Sequence, residues 1–160
     1  MKLEIALGSN MAINLIVGAN GLIGTSIRKS LRNKKQSFKG FSFSRTNTNL
    51  TTLDINDLEK TNTILGQQEG KNIYLCSNFP GGVNIVEKNA AQATHFYLDA
   101  TINIGQVCKN KKKKLIFIST DYVFADSNTP LDEKSPTSPL NVYGRLKVLA
   151  EKWIQENLND

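Results

Sequence analysis

Cysteine is scarce in this sequence, and its two instances define no framework. Cys76 and Cys108 lie in otherwise apolar segments and show no metal-ligand spacing. That excludes a disulfide scaffold and a zinc site, and it reads as a reduced, cytoplasmic chain. Long hydrophobic runs are also missing. Leu115-Ile116-Phe117-Ile118 is among the longest, far short of the ~18–20 residues of a membrane span. The N-terminus carries Glu4 early and has no long apolar stretch, so it is no secretory signal. His95 is the single histidine; it falls mid-helix and reads as structural or surface-exposed, not catalytic. What remains is 160 residues, 39% hydrophobic, enough for one globular domain with its own core.

Acidic residues are absent from residues 25–53, where seven cations fall. Lys109 and the four lysines at 111–114 add five more, so these two stretches hold 12 of the 20 basic residues behind a net charge of +6. The lysine run has no interleaved aromatics and belongs to no known nucleic-acid module. It reads as a solvated loop between a helix and a strand. No nucleic-acid or membrane partner is expected.

Along the chain, strand and helix signals alternate without repeats or linkers. Strand-like segments fall at residues 13–17, 41–43, 53–55, 72–76 and 115–118. Between them lie a helix with Ile23, Ile27 and Leu31 on one face, one at 56–65, and a long one at about 87–107. A last helix begins near Asn141, with Leu146, Leu149, Ala150 and Trp153 on one stripe. Strands joined by helix-length crossovers pair in parallel through right-handed βαβ units. The fold class is therefore α/β, a Rossmann-type doubly wound parallel sheet of about five strands. The organisation predicted is an N-terminal extension, residues 1–11, followed by an NAD(P)-binding domain, residues 12–160.

Ligands of such sheets bind at the carboxyl ends of the strands. The first strand runs into Gly18-Ala19-Asn20-Gly21-Leu22-Ile23-Gly24. Gly18 permits the tight turn, Gly21 lets backbone approach a pyrophosphate, and Gly24 lets helix and strand pack closely. The helix N-terminus would then face the anion. No acid follows at the usual ribose-binding distance; Ser44 and Arg45 stand there instead. An arginine suits a 2′-phosphate, so NADP(H) is favoured over NAD(H). No metal is expected.

A second constellation follows the strand at 115–118. Thr120 projects from its end, and Tyr143 and Lys147 stand four residues apart on one helix face. A phenol ordinarily titrating near ~10 is a poor acid at neutral pH, but a lysine ammonium beside it favours the phenolate. The same lysine can hold a cofactor ribose, and Thr120 can donate to a substrate carbonyl oxygen.

The glycine turn, Leu53-Asp54-Ile55, Ser119-Thr120-Asp121-Tyr122-Val123-Phe124, and Ser138-Pro139-Leu140-Asn141-Val142-Tyr143-Gly144 with Lys147 and Glu151 resemble the extended short-chain dehydrogenase/reductases. Within these the chain is most similar to the dTDP-4-dehydrorhamnose reductases, over nearly its whole length from residue 12. The resemblance implies hydride transfer from NAD(P)H to the 4-keto carbon of a nucleotide-linked 6-deoxy sugar, a step of polysaccharide biosynthesis. Tyr143 would be the proton donor, Lys147 its pKa-lowering and ribose-binding partner, and Thr120 the substrate-polarising hydroxyl. Asp54 and Ile55 would flank the adenine, and Tyr122 would face the sugar.

Three departures accompany the resemblance. The loop after the fourth strand reads Cys76-Ser77-Asn78-Phe79-Pro80-Gly81-Gly82, where relatives carry an Asn-Ala-Ala type stretch. Asp99 occupies the helix position where those enzymes carry an Asn, and an acid there could pair with Lys147. Relatives also continue past the equivalent of Asp160 with a substrate-binding part, so a homo-oligomer or a second chain completing the sheet is expected. Two alternatives stay open: a nucleotide-sugar epimerase or dehydratase, and a non-catalytic regulatory subunit resembling the methionine adenosyltransferase beta subunit.

Overall fold

The computed structural model describes residues 13–43 and 49–158. The expected extension at 1–11, and Ser44 and Arg45, lie outside the described residues. The strands are β1 (Asn14–Val17), β2 (Phe38–Ser42), β3 (Thr51–Thr52), β4 (Asn72–Leu75) and β5 (Lys114–Phe117). They form one all-parallel sheet in the order β3-β2-β1-β4-β5. The chain thus winds outward from β1 in both directions. The reversal point lies between β1 and β4, where Val17 pairs with Leu75. All four residues of β1 are buried, as a central parallel strand covered on both faces requires.

The helices are α1 (Leu22–Asn33), α2 (Leu58–Gly66), α3 (Val83–Lys88), α4 (Ala90–Thr94), α5 (Ala100–Lys111) and α6 (Val142–Asn157). One face of the sheet sets Leu15, Val17, Ile73 and Leu75 against Leu65 of α2 and Ile104 and Cys108 of α5. The other sets Ile16 against Leu31 of α1. α6 closes on α5 because Gly105 has no side chain: a Cβ there would stand 2.2 Å from the Trp153 ring. No helix among the described residues is long and apolar enough to cross a membrane.

The structure corrects four readings of the sequence. The long helix at 87–107 is broken at Asn89 (φ −124°, ψ 43°), whose side chain donates to the Ile85 carbonyl in competition with the helix. Residues 53–55 lie past β3: the ladder with β2 ends at Thr52, Leu53 still donates to the Ser42 carbonyl at 3.0 Å, and the chain then turns away as a loop. Ile23 lies exposed at the start of α1, outside the buried face, and Leu149 is 47% exposed, off the α6 stripe. The lysine run is not a loop: it forms the last turn of α5, a left-handed cap at Lys112, and the first residue of β5. Lys113 donates to the carbonyls of Gln68 and Gly70, while Lys39, from the other basic stretch, donates to the Gln68 side chain. The two basic stretches therefore meet at the amino ends of the strands, opposite the end where ligands bind such sheets.

Candidate functional site

A crevice of about 660 Å³ opens at the carboxyl ends of the strands, across the reversal between β1 and β4. Its floor is built by glycine. Gly18 has φ +82°, and a Cβ on it would lie 2.7 Å from the Ser77 nitrogen, so the exits of β1 and β4 can touch only here. A Cβ on Gly24 would lie 2.3 Å from the Gly18 carbonyl oxygen, which lets α1 press against the turn. Gly21 is different: its Cβ would meet nothing closer than 3.4 Å, so its freedom serves approach from outside rather than internal packing. As N-cap of α1 it offers no side-chain cap, and no acid occupies the first turn. The first N–H groups of this 12-residue helix face the crevice with their positive end.

The structure brings Gly18, Asn20, Gly21, Leu22, Ile23, Asp54, Ile55, Tyr143 and Lys147 together around this crevice. Gly24 stands behind it as a packing residue. Asp54 accepts from the backbone and side chain of Asn56, shaping the loop after β3. Leu22, 87% exposed, forms an apolar lip. The sequence reading missed Ser42, the last residue of β2. It is only 6% exposed, its hydroxyl has no hydrogen-bond partner among the described residues, and it lines the crevice. Its place at the strand end next to the glycine turn was the available signal. An orphaned buried hydroxyl, a Cβ-free cradle and an uncapped helix start fit the ribose and pyrophosphate of a dinucleotide.

At the other end of the crevice, α6 carries Tyr143 and Lys147. Asn141 caps it by accepting from the Gly144 nitrogen at 2.8 Å, and Glu87 of α3 accepts from the Val142 nitrogen at 2.8 Å. A Cβ on Gly144 would lie 2.1 Å from the Tyr122 carbonyl oxygen. Glycine therefore lets α6 meet the short 3-10 turn Asp121–Val123 and brings Tyr143 near Thr120, whose hydroxyl donates to Asp121 Oδ1 at 3.2 Å. The Tyr122 ring stands 5.8 Å from that of Tyr143, at the exposed rim. Thr120 and Tyr122 flank Tyr143 without lining the crevice itself.

Two electrostatic expectations are corrected. Burial raises the Tyr143 phenol above its usual value; the neighbouring Thr120 hydroxyl opposes this, and Asp121 and Tyr122 add to it. Lys147 is not among the groups that shift it; its ammonium lies 5.9 Å from the Tyr143 ring centre and donates to the Ile118 carbonyl at 2.7 Å. Burial also pushes Lys147 itself down to about 8, against the pull of Glu151 and Cys76. Asp99 does not pair with Lys147; its carboxylate faces His95 Nδ1 at 3.1 Å. In the divergent loop, Ser77, Asn78 and Pro80 line the crevice while Gly81 and Gly82 do not. Gly81 packs on Ile85. Burial raises the Cys76 thiol to about 11, so it stays protonated.

The fold recurs in known proteins. The chain is 29% identical over 143 residues to methionine adenosyltransferase 2 subunit beta of Pongo abelii, an alignment covering 89% of this chain and 42% of that one. The chain thus spans less than half the length of that curated relative. A dTDP-4-dehydrorhamnose reductase of Bacillus anthracis, solved in complex with NADP, superposes with a TM-score of 0.79 at 26% identity, covering 92% of this chain and 51% of that one. UDP-glucose 4-epimerase of Brucella ovis, solved with NAD, shares the fold with a TM-score of 0.81 at 19% identity, covering 91% of this chain and 47% of that one. Residues 11–160 match the family described as the RmlD substrate binding domain, and the chain belongs to that family.

Proposed function

We propose that this chain binds NAD(P)H and carries the acid–base set of a reductase acting on a nucleotide-linked 4-keto-6-deoxy sugar. The observation that supports this most is the meeting of Tyr143 and Lys147, with Thr120 flanking Tyr143 outside the lining, at one end of a crevice whose other end is an uncapped, glycine-cradled helix start. Gly18, Gly21 and the first turn of α1 would hold the pyrophosphate, Ser42 a ribose hydroxyl, and Asp54 and Ile55 the adenine side. When bound, the nicotinamide supplies a hydride. Tyr143, kept neutral by burial, holds the proton that the reduced carbonyl oxygen needs. Thr120, beside that phenol, would turn its hydroxyl to donate to the same substrate oxygen. Lys147, its ammonium 5.9 Å from the Tyr143 ring centre, would favour a developing phenolate by its charge. NADP(H) is proposed over NAD(H), from Arg45.

The test follows oxidation of NADPH with a dTDP-4-keto-6-deoxy sugar, together with calorimetric binding of the cofactor. Tyr143→Phe keeps the ring and removes the proton. It should leave cofactor affinity near wild type and slow turnover by about 10²–10⁴-fold, as loss of a general acid does. Wild-type turnover in that variant would remove Tyr143 from the chemistry. A second reading, a non-catalytic subunit, is supported by the likeness to methionine adenosyltransferase 2 subunit beta. Cofactor binding without reduction of any keto sugar would favour it.

A further inference from the structure

Behind the crevice, between α4 and α5, one turn is wound as a π-helix, His95–Asp99. Such turns are rare inside α-helices and recur at functional sites. Its middle residue, Tyr97, is 3% exposed and is held from three sides. The ring centre lies 5.2 Å from that of Tyr143 and 5.2 Å from the Lys147 ammonium nitrogen. The hydroxyl hydrogen-bonds to Asn78 Oδ1 and accepts from the Phe79 nitrogen at 3.0 Å. Tyr97 therefore touches the helix that bears Tyr143 and Lys147 and also the loop after β4 that walls the crevice.

The surroundings of Lys147 give this contact its meaning. An ammonium has three donors, and a single acceptor, the Ile118 carbonyl, is seen for this one. Three rings stand around it, Phe117 at 4.4 Å, Tyr97 at 5.2 Å and Tyr143 at 5.9 Å, and it also lines the crevice. Glu151 and Cys76 are the titratable groups that act on it. Aromatic faces attract a desolvated cation and fix where it sits. Burial holds the Tyr97 phenol up at about 12, so it stays neutral and serves as a hydrogen-bonding post rather than an acid.

We propose that Tyr97 is a positioning residue of this site: its ring holds the Lys147 ammonium beside Tyr143, and its hydroxyl fixes the loop of Ser77 and Asn78 that forms the crevice wall. This rests on the reading of Tyr143 and Lys147 as the acid–base pair of a nucleotide-binding site. The two halves of the side chain separate cleanly in two variants. Tyr97→Phe keeps the ring and removes the post. Tyr97→Leu keeps apolar bulk and removes the ring.

The experiment titrates the Lys147 side-chain amine by NMR in the lysine-labelled 160-residue chain, assigned with Lys147→Met, and measures the Kd for NADP(H) by calorimetry. In Tyr97→Phe the lysine midpoint should stay put while the Kd weakens about 2- to 10-fold, the effect of losing a hydrogen bond that shapes the wall. In Tyr97→Leu the midpoint should fall, since burial persists while the ring that favours the cation is gone. A midpoint unmoved or raised in Tyr97→Leu would overturn the proposal, as would an unchanged Kd in Tyr97→Phe. Lower melting in both variants with an unmoved lysine is the mark of a merely structural tyrosine and also overturns it. If the wild-type chain binds no nicotinamide cofactor or reduces no keto sugar, the proposed function fails, while the lysine titration still decides the role of Tyr97.

Discussion

His95 ties the π-helical turn to the loop before α2: its imidazole Nε2 lies 2.9 Å from the Asn56 carbonyl oxygen, and Nδ1 faces the Asp99 carboxylate at 3.1 Å. Both ring nitrogens meet acceptors, which only the doubly protonated ring can satisfy. The Asn56 hydrogen bond comes first among the causes that raise its pKa, then Asp99, with Asp54 adding charge nearby. A raised folded value means that the folded state binds the extra proton more tightly. The contribution is complete below the unfolded value of about 6.5 and is lost as pH rises through the raised folded value. Thermal melts of wild type and His95→Ala should therefore differ more at about pH 5.5 than at about pH 8. An equal difference at both would show that the imidazolium does not tie this loop.

Lys147 works in the opposite sense. Its folded value of about 8 lies below its ordinary 10.5, with burial as the main cause. Between those two values the unfolded chain binds more protons, so stability rises with pH through that window and the charged amine costs stability below it. Lys147→Met keeps the volume without the charge. We expect the ligand-free variant to melt higher than wild type at about pH 7 and to lose that advantage as pH approaches about 10. Its affinity for NADP(H) should fall. A variant that melts lower across the range would show that the Ile118 hydrogen bond outweighs the desolvation.

The glycine turn separates packing from ligand approach. Gly24→Ala places a Cβ 2.3 Å from the Gly18 carbonyl oxygen, so thermal stability and cofactor affinity should fall together; overpacking of this kind costs about 1–3 kcal/mol. Gly21→Ala meets nothing closer than 3.4 Å. It should cost little stability yet weaken NADP(H) binding at least about 10-fold, because the methyl would stand where the pyrophosphate approaches. Equal affinity in wild type and Gly21→Ala would move the pyrophosphate away from this turn.

Cofactor preference is predicted from Arg45. Calorimetric titration should find NADP(H) bound more tightly than NAD(H). Arg45→Ala should erase most of that gap by removing the guanidinium partner of the 2′-phosphate. Equal affinities in the wild type would remove the basis of the preference.

Much of this site was legible because its parts are local. A strand, a glycine turn and an amphipathic helix are contiguous, so Gly18, Gly21 and Gly24 could be assigned roles from spacing alone. Tyr143 and Lys147 share a helix face by virtue of a four-residue separation, whatever the rest of the chain does. The parallel sheet followed from strands separated by helix-length connections, and its five strands pair as that rule requires. The folded chain decided what depends on neighbours distant in sequence. No periodicity marks Ser42 as an orphaned hydroxyl, since its place beside Thr52 of β3 and at the crevice is set by residues distant in sequence. Asp99 turned from Lys147 to His95 because a π-helical turn, invisible in the residue pattern, sets the register there. The state of Lys147 was set in the same way. Sequence places an ammonium beside a phenol, but packing against Phe117 and Tyr97 strips away its water, lowers its proton affinity and leaves the Ile118 carbonyl to hold it.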